Sequence, residues 1–177
     1  MLRQLFILTA FCTALAPALA SAPAAAASTQ LADERALIAV ADGLDAAVDA
    51  KDWTTARGFF ADEVRIDFSS LGGGAPATIP SDDLIGAWRA NLFAAKQSFH
   101  LRGNHLVQID GDTAQMTSHG YAWNKLAGLA GGELWEVWGT YDYRFARTAA
   151  GWKLTHFTFN MIHERGNPAV RTATETD

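Results

Sequence analysis

The sequence has almost no cysteine. Cys12 is the single cysteine among 177 residues, and it lies in an apolar segment near the N-terminus. The rest of the chain therefore cannot build a disulfide framework, a cysteine-ligated metal centre or a thiol nucleophile. Its fold must be held together by burial of apolar surface, for which a chain of this length is sufficient.

An excess of positive charge is also missing. The chain has 14 Lys and Arg residues against 19 Asp and Glu residues, which gives a formal net charge of −5. Proteins that bind phosphate backbones need a basic surface, so nucleic acids and anionic membranes are not expected partners. We expect the partner to be a small-molecule ligand or another protein.

Common cofactor and nucleophile motifs are absent as well. Gly72–Gly74 leads to Pro76 and Pro80 without the Lys-Ser pair of a phosphate-binding loop. The chain has no Gly-x-Ser-x-Gly elbow of a serine hydrolase and no His-x-x-x-His pair that could hold zinc. We therefore expect neither a metal nor an organic cofactor.

The N-terminal segment has the pattern of an export signal. Arg3 precedes the apolar run Leu5–Leu15, and Ala18-Leu19-Ala20 places small residues around a cleavage position. We predict that residues 1–20 are a signal peptide and that the protein is periplasmic or secreted, without membrane contact after cleavage. The alternative is a membrane anchor, although the run is shorter than the roughly 20 apolar residues that span a bilayer. Residues 21–30 are predicted to be a disordered leader.

Helical periodicity dominates the first half of the remaining chain. Apolar residues recur every three or four positions in 33–50, and Asp52 precedes a shorter helix over 53–60. Ser81 is predicted to cap a third helix over 82–95. Between these helices, Val64–Phe68 alternates like a strand, and Ser69–Pro80 is predicted to be a loop that could act as a lid.

The second half changes to strand periodicity. Four strands are predicted, separated by glycine-bearing turns: Phe99–Ile109, Thr113–Lys125, Glu133–Arg147 and Trp152–His163. Helices followed by strands indicate an α+β domain, with three helices packed on one face of a curved antiparallel sheet.

Several short strings in this order resemble one known family. They are Asp49-Ala50-Lys51-Asp52-Trp53, Arg65-Ile66-Asp67-Phe68, Phe99-His100-x-x-x-Asn104, Asp110-Gly111-Asp112-Thr113-Ala114 and Tyr143-Arg144-Phe145. The chain resembles the SnoaL-like branch of the nuclear transport factor 2-like superfamily, which includes scytalone dehydratase. This resemblance implies a cone-shaped domain over residues 31–165, followed by a flexible tail over 166–177.

The resemblance also implies a pocket between the concave sheet face and the helices. In the dehydratases, an Asp near the end of the first helix and two sheet histidines exchange protons with a bound carbonyl compound. Asp49 and His100 match the Asp and one His, whereas Asn124 stands in place of the second His. Val48 and Phe68 stand where the dehydratase has tyrosines, so dehydration of scytalone itself is not expected.

The residue pattern gives this site partial support. An ideal hairpin centred on Gly111 places His100 opposite Ala122 and diagonal to Asn124. In the same geometry, His105 and His119 lie on the opposite face.

Aromatic residues are concentrated on two neighbouring strands, and their role depends on the register. They are Tyr121, Trp123, Trp135, Trp138, Tyr141 and Tyr143. They either fill the core and an outer sheet face used for homo-oligomer contacts, or they line a cavity for a flat ligand. The sequence leaves both roles open, because a register shift of one residue exchanges the two faces of the sheet.

Two functions follow as hypotheses. The first is a cofactor-independent lyase or isomerase acting on a small apolar carbonyl or hydroxy compound, with Asp49 and His100 as the catalytic pair. The second is a binding module for a hydrophobic or aromatic ligand that has lost the dehydratase chemistry. The residues predicted to contact the ligand are Val48, Trp53, Phe68, Asn104, Asn124, Trp135 and Tyr141.

Overall fold

The structure, a computed structural model, describes residues 22–175, with side chains from residue 27 onwards. The predicted signal peptide lies outside the described residues. The helices are α1 (Ala22–Asp49), α2 (Trp53–Gly58), α3 (Ser81–Asn91) and α4 (Pro168–Thr172), with a 3-10 turn at Ser69–Leu71. The strands are β1 (Phe60–Asp67), β2 (Ala77–Pro80), β3 (Gln97–Asp110), β4 (Thr113–Lys125), β5 (Leu134–Thr148) and β6 (Gly151–Gly166).

The six strands form one curved, open sheet in the order β2-β1-β6-β5-β4-β3. Neighbouring strands are antiparallel except for β1 and β6, which run parallel. The α+β class predicted from the sequence is confirmed. Residue pairing breaks within β3, between Gly103 and Leu106, and twice between β5 and β6.

Helix α1 packs along the inner face of the sheet through one stripe of apolar residues. Leu37, Ala41, Leu44 and Val48 are buried, at the spacing of three and four residues that places side chains on one helix face. The same stripe positions the carboxyl end of α1 beside β3, where the candidate site lies.

Two segments predicted to be irregular are ordered instead. Helix α1 already begins at Ala22, within the predicted leader, and this start contains several alanines, the strongest helix formers. Residues 77–80 form the edge strand β2, with Ile79 paired to Val64 of β1. Pro80 lies at the last position of this edge strand, where the loss of an N–H donor is tolerated.

The third helix differs from its prediction at both ends. It begins at Ser81 itself and ends at Asn91. Ser81 does not cap the helix, because its Oγ donates a hydrogen bond to the carbonyl of Ala61 at 2.7 Å.

The C-terminal segment, predicted to be a flexible tail, contains α4. Asn167 caps this helix by accepting a hydrogen bond from the backbone N–H of Ala169 at 3.1 Å, and Val170 is 0% exposed. At the other end, the buried Lys96 Nζ donates to the carbonyls of Arg171 and Ala173 at 3.2 and 2.9 Å. A cation near the carboxyl end of a helix stabilises it, so α4 is a fixed part of the domain.

Candidate active site

A cavity of about 230 Å³ lies between the helices and the inner face of the sheet. Most of its wall is apolar and includes Leu44, Val48, Phe68, Trp88, Phe157 and Phe159. The polar side chains on its wall are those of Asp45, Asn91, His100, Arg102, Asn124 and Arg171. An apolar enclosure with a few polar groups is typical of a small-molecule site.

Asp49 and His100 form a hydrogen-bonded pair, in which His100 lines the cavity and Asp49 is not among the lining residues. Asp49 is the last residue of α1, and its Oδ1 lies 2.7 Å from His100 Nδ1 while its Oδ2 accepts the backbone N–H of His100 at 2.7 Å. Ser98 Oγ donates a third hydrogen bond to Asp49 Oδ1 at 2.9 Å. The side chains of His100 and Asp49 are only 18% and 19% exposed.

These contacts determine the charge of Asp49. Burial raises the pKa of this carboxyl, but hydrogen bonds from the His100 ring, the His100 backbone and Ser98 outweigh burial and lower the pKa. Asp49 is therefore ionised at neutral pH and accepts the proton on His100 Nδ1. In the neutral imidazole with its proton on Nδ1, the lone pair lies on the second ring nitrogen, Nε2.

Lys51 extends this network toward the surface. Its Nζ donates to Ser98 Oγ at 2.7 Å, so Ser98 links the ammonium group to Asp49. Burial lowers the pKa of Lys51, and the nearby Asp49 carboxylate opposes that effect. The Asp49 carboxylate is thus held between the side chains of His100 and Ser98, which both contact it.

A second pair, missed from the sequence, lies next to the first. Asp45 is one helical turn before Asp49, and Arg102 is two residues after His100 on the same face of β3. Arg102 donates two hydrogen bonds to the carboxylate of Asp45 and a third to the hydroxyl of Tyr143. The Arg102 side chain is 3% exposed, and its guanidinium lies 3.3 Å from the centre of the Tyr141 ring.

The break in β3 corrects the prediction for His105. Asn104 has a positive φ of 56°, and one extra residue shifts the alternation of β3. His105 consequently faces α1, with Nε2 3.3 Å from Asp42, and does not lie on the outer face with His119. Asn104 turns outward instead, and its side chain contacts His119 Nδ1 at 2.9 Å.

The other predicted ligand contacts divide into two groups. Five predicted positions line the cavity: Val48, Phe68, Asn124, Trp135 and Tyr141. Trp53 and Asn104 are not among its lining residues. Trp53 begins α2 and packs, partly buried, against the hydrophobic core, while the bulge directs Asn104 away.

The aromatic residues of β4 and β5 are divided between the two sheet faces. Trp135 pairs with Asn124, and the alternation of β5 places Trp135, Tyr141 and Tyr143 inside. Tyr121 and Trp138 contact each other on the outer face at 5.0 Å between ring centres. The aromatic residues are therefore divided by position: Trp135 and Tyr141 line the cavity, whereas Tyr121 and Trp138 lie on the outer face.

A glycine makes room for one of the inner rings. A Cβ at Gly120 would overlap the ring of Tyr141, which lies against the β4 backbone. Burial raises the pKa of the Tyr141 phenol, so its hydroxyl keeps its proton at neutral pH.

Within residues 22–175, no group of three or more His, Cys, Asp or Glu side chains is arranged to hold a metal ion. Among the helices that the structure describes, none is long and apolar enough to cross a membrane.

Comparison with known proteins places the fold. The model of the SnoaL-like domain matches residues 29–158. A solved protein from Kribbella flavida is 32% identical, with 83% of this chain and 99% of that chain covered at a TM-score of 0.74. A candidate scytalone dehydratase from Novosphingobium aromaticivorans is 13% identical, with 80% and 91% covered at a TM-score of 0.70.

A hexachlorocyclohexane dehydrochlorinase of type 2 shares the fold at 13% identity, with 84% of this chain and 97% of that chain covered at a TM-score of 0.64. Among curated proteins, none matches the chain. The match to the domain model covers most of the sequence, and the chain therefore belongs to the SnoaL-like domain family.

Proposed function

We propose that this protein is a cofactor-independent lyase or isomerase that moves a proton on a small, mostly apolar carbonyl or hydroxy compound. The observation that carries the proposal is the 2.7 Å contact between His100 Nδ1 and Asp49 Oδ1 at the wall of an apolar cavity. A histidine whose tautomer is fixed by a carboxylate is a suitable general base near neutral pH.

The chemistry follows from the free ring nitrogen. His100 Nε2 takes the proton from the carbon next to the carbonyl, and the electron pair of the broken C–H bond forms a C=C bond. In a dehydration, the C–O bond on the next carbon breaks, and the imidazolium returns its proton to the leaving hydroxyl, so that water departs. Asp49 stabilises the imidazolium between these two events, and no external oxidant or reductant is needed.

The cavity wall supports the same reaction class. Its apolar side chains exclude water from the reacting carbon, and the neutral Tyr141 hydroxyl is a hydrogen-bond donor for a carbonyl oxygen. Two proteins with this fold carry names that describe eliminations, a dehydratase and a dehydrochlorinase.

The test measures proton abstraction itself. A panel of aryl and cyclic ketones, with and without a β-hydroxyl group, is incubated in D2O with the wild type and with His100→Gln and Asp49→Asn. NMR follows exchange of the proton next to the carbonyl. Both substitutions are expected to slow exchange at least about 10²-fold.

A matched control is His119→Gln, because His119 lies on the outer face beside Asn104. This variant is expected to exchange at the wild-type rate. If His100→Gln exchanges a ketone as fast as the wild type does, the proposed role of His100 is wrong.

The second candidate function is ligand binding without turnover. It is favoured by Val48 and Phe68, which make the wall apolar where the dehydratase relatives carry phenols. A compound that co-purifies with the protein, and whose structure is unchanged after long incubation, would support binding. Exchange that depends on His100 would count against it.

Export is part of the proposal. It is supported by the charged start, apolar run and small residues of the first 20 positions. We expect protein isolated from the periplasmic or secreted fraction to begin at Ser21 by N-terminal sequencing. A protein that retains Met1 in the cytoplasm would contradict export.

We also propose that the outer sheet face joins copies of this chain into a homo-oligomer. Phe99 and Trp123 stack there at 6.0 Å between ring centres, and the neighbouring Leu101 is 58% exposed. Light scattering on the purified protein should give more than one subunit, and Leu101→Lys should reduce that number. A wild-type monomer at high concentration would refute this assembly.

A further inference from the structure

We infer that the ligand carries a carboxylate group, which Arg171 of α4 binds at one end of the cavity. The inference rests on the proposed function for the location of the site, and it adds the chemical class of the ligand. It does not depend on turnover. Arg171 lies beyond the part of the chain that matches the family model, residues 29–158.

Two arginines line the cavity, and their charges are used differently. Arg102 is saturated, because three of its nitrogens donate to Asp45 and Tyr143. The carboxylate of Asp45 also neutralises its charge. Arg102 is therefore a structural cation with little to offer a ligand.

Arg171 keeps donors available. Its Nη1 donates to the carbonyl of Leu71, whereas its Nε is buried and has no hydrogen-bond partner. A guanidinium has five N–H donors, so one hydrogen bond leaves most of them unused. Planar, paired N–H groups of this kind match the two oxygens of a carboxylate.

Glu164 is an acidic residue close to Arg171, and its negative charge would repel a carboxylate ligand. Its Oε2 lies 3.8 Å from Arg171 Nε, beyond hydrogen-bond distance, and accepts the indole N–H of Trp135 at 2.7 Å. Glu164 is thus held by the indole and leaves the guanidinium only loosely paired. The ammonium of Lys96, which donates to the carbonyl of Arg171, adds positive charge behind this end of the cavity.

The backbone around Arg171 is fixed before a ligand arrives. Asn91 Nδ2 and Lys96 Nζ both donate to the carbonyl of Arg171, at 2.9 and 3.2 Å. Because α4 is anchored, little backbone conformational entropy remains to be lost when Arg171 binds an anion.

The positions of Arg171 and His100 set the shape of the ligand. The Arg171 guanidinium lies 5.8 Å from the ring centre of Trp135 on β5, whereas His100 is on β3. The strand β4 lies between β5 and β3, so the backbones that carry Trp135 and His100 are two strand spacings, or about 10 Å, apart. An apolar ring with a carboxylate at one end and the reacting carbon at the other fits this arrangement.

The experiment compares two ligands of nearly equal shape, naphthalene-2-carboxylate and naphthalene-2-carboxamide, by titration calorimetry. The wild type is expected to bind the carboxylate roughly tenfold more tightly, which corresponds to about 1.4 kcal/mol. Arg171→Gln should abolish this preference while still binding the carboxamide, and Arg171→Lys should restore part of it. Arg89→Gln, which removes an exposed positive charge from α3, is the matched control and should change nothing.

The inference is overturned if the wild type shows no preference for the carboxylate, including no detectable binding of it, or if the preference survives in Arg171→Gln. Should Arg171→Gln unfold, the wild-type preference and its partial retention in Arg171→Lys decide the matter. His100→Gln should keep the wild-type preference for the carboxylate over the carboxamide, because that preference depends on Arg171. A failure of carboxylate recognition is therefore distinguishable from a failure of the proposed catalysis.

Discussion

The buried pair of Asp45 and Arg102 gives the sharpest prediction for stability. Asp45→Asn keeps the shape of the side chain but leaves the Arg102 charge buried and unpaired, and Arg102→Met does the same to the carboxylate. Since the two side chains are 9% and 3% exposed, each single substitution should lower the free energy of unfolding by about 3–5 kcal/mol. The double variant should be destabilised by less than the sum, by a margin of about 2 kcal/mol.

The assay is urea unfolding, followed by the fluorescence of the six tryptophans. The control is Asp82→Asn, because Asp82 pairs with Arg57 at 2.7 Å but its side chain is 80% exposed. This substitution should cost at most about 1 kcal/mol. If Asp45→Asn costs no more than Asp82→Asn, or if the two core substitutions add without coupling, the reasoning about the buried pair is wrong.

Three further predictions concern single contacts. Asp33 accepts two hydrogen bonds from Arg147, which lower the pKa of Asp33 to about 2. The stabilising effect of Asp33 should therefore be complete above pH 4 and be lost as the pH falls toward 2. The melting temperatures of the wild type and Asp33→Asn should converge over that interval, and a constant difference between them would contradict this prediction. Asp52→Ala removes the acceptor for the Thr55 N–H at the start of α2, and urea unfolding should show a loss of about 1 kcal/mol, whereas an unchanged midpoint would show that the cap is dispensable. Gly120→Ala places a methyl group against the Tyr141 ring and should lower the melting temperature and weaken ligand binding together; a stable variant with normal binding would contradict the close approach.

Much of the fold could be predicted from the sequence because local patterns determine it. Strand β4 has the predicted bounds, Thr113–Lys125, since turn residues flank a clear alternation on both sides. The predicted pairing of His100 with Ala122 is confirmed, because the extra residue at the β3 bulge offsets the two-residue turn that pairs Asp110 with Thr113. Asp52 caps α2 as predicted, through a hydrogen bond that depends on residues three apart.

The features that were missed depend on contacts between distant parts of the chain. The bulge at Asn104 has no local signal, yet it reverses the faces of every later residue of β3 and brings His105 to α1. Helix α4 has only five residues, too few to show a periodic pattern, and Lys96, Asn91 and the buried Val170 hold it in place.

The pair of Asp45 and Arg102 was accessible in principle. Asp45 precedes Asp49 by four residues and Arg102 follows His100 by two, so each shares a face with a residue that was already singled out. Neither Asp45 nor Arg102 is among the predicted site residues, because a buried ion pair cannot be recognised from one of its partners alone.

The most direct test of the central claim is the tautomer of His100. Long-range ¹H–¹⁵N NMR at about pH 9, where an ordinary imidazole is neutral, reports which ring nitrogen carries the proton. The account predicts a protonated Nδ1, bound to Asp49, and a Nε2 lone pair that shifts when a ligand enters the cavity. A proton on Nε2, with no change in Asp49→Asn, would contradict the account.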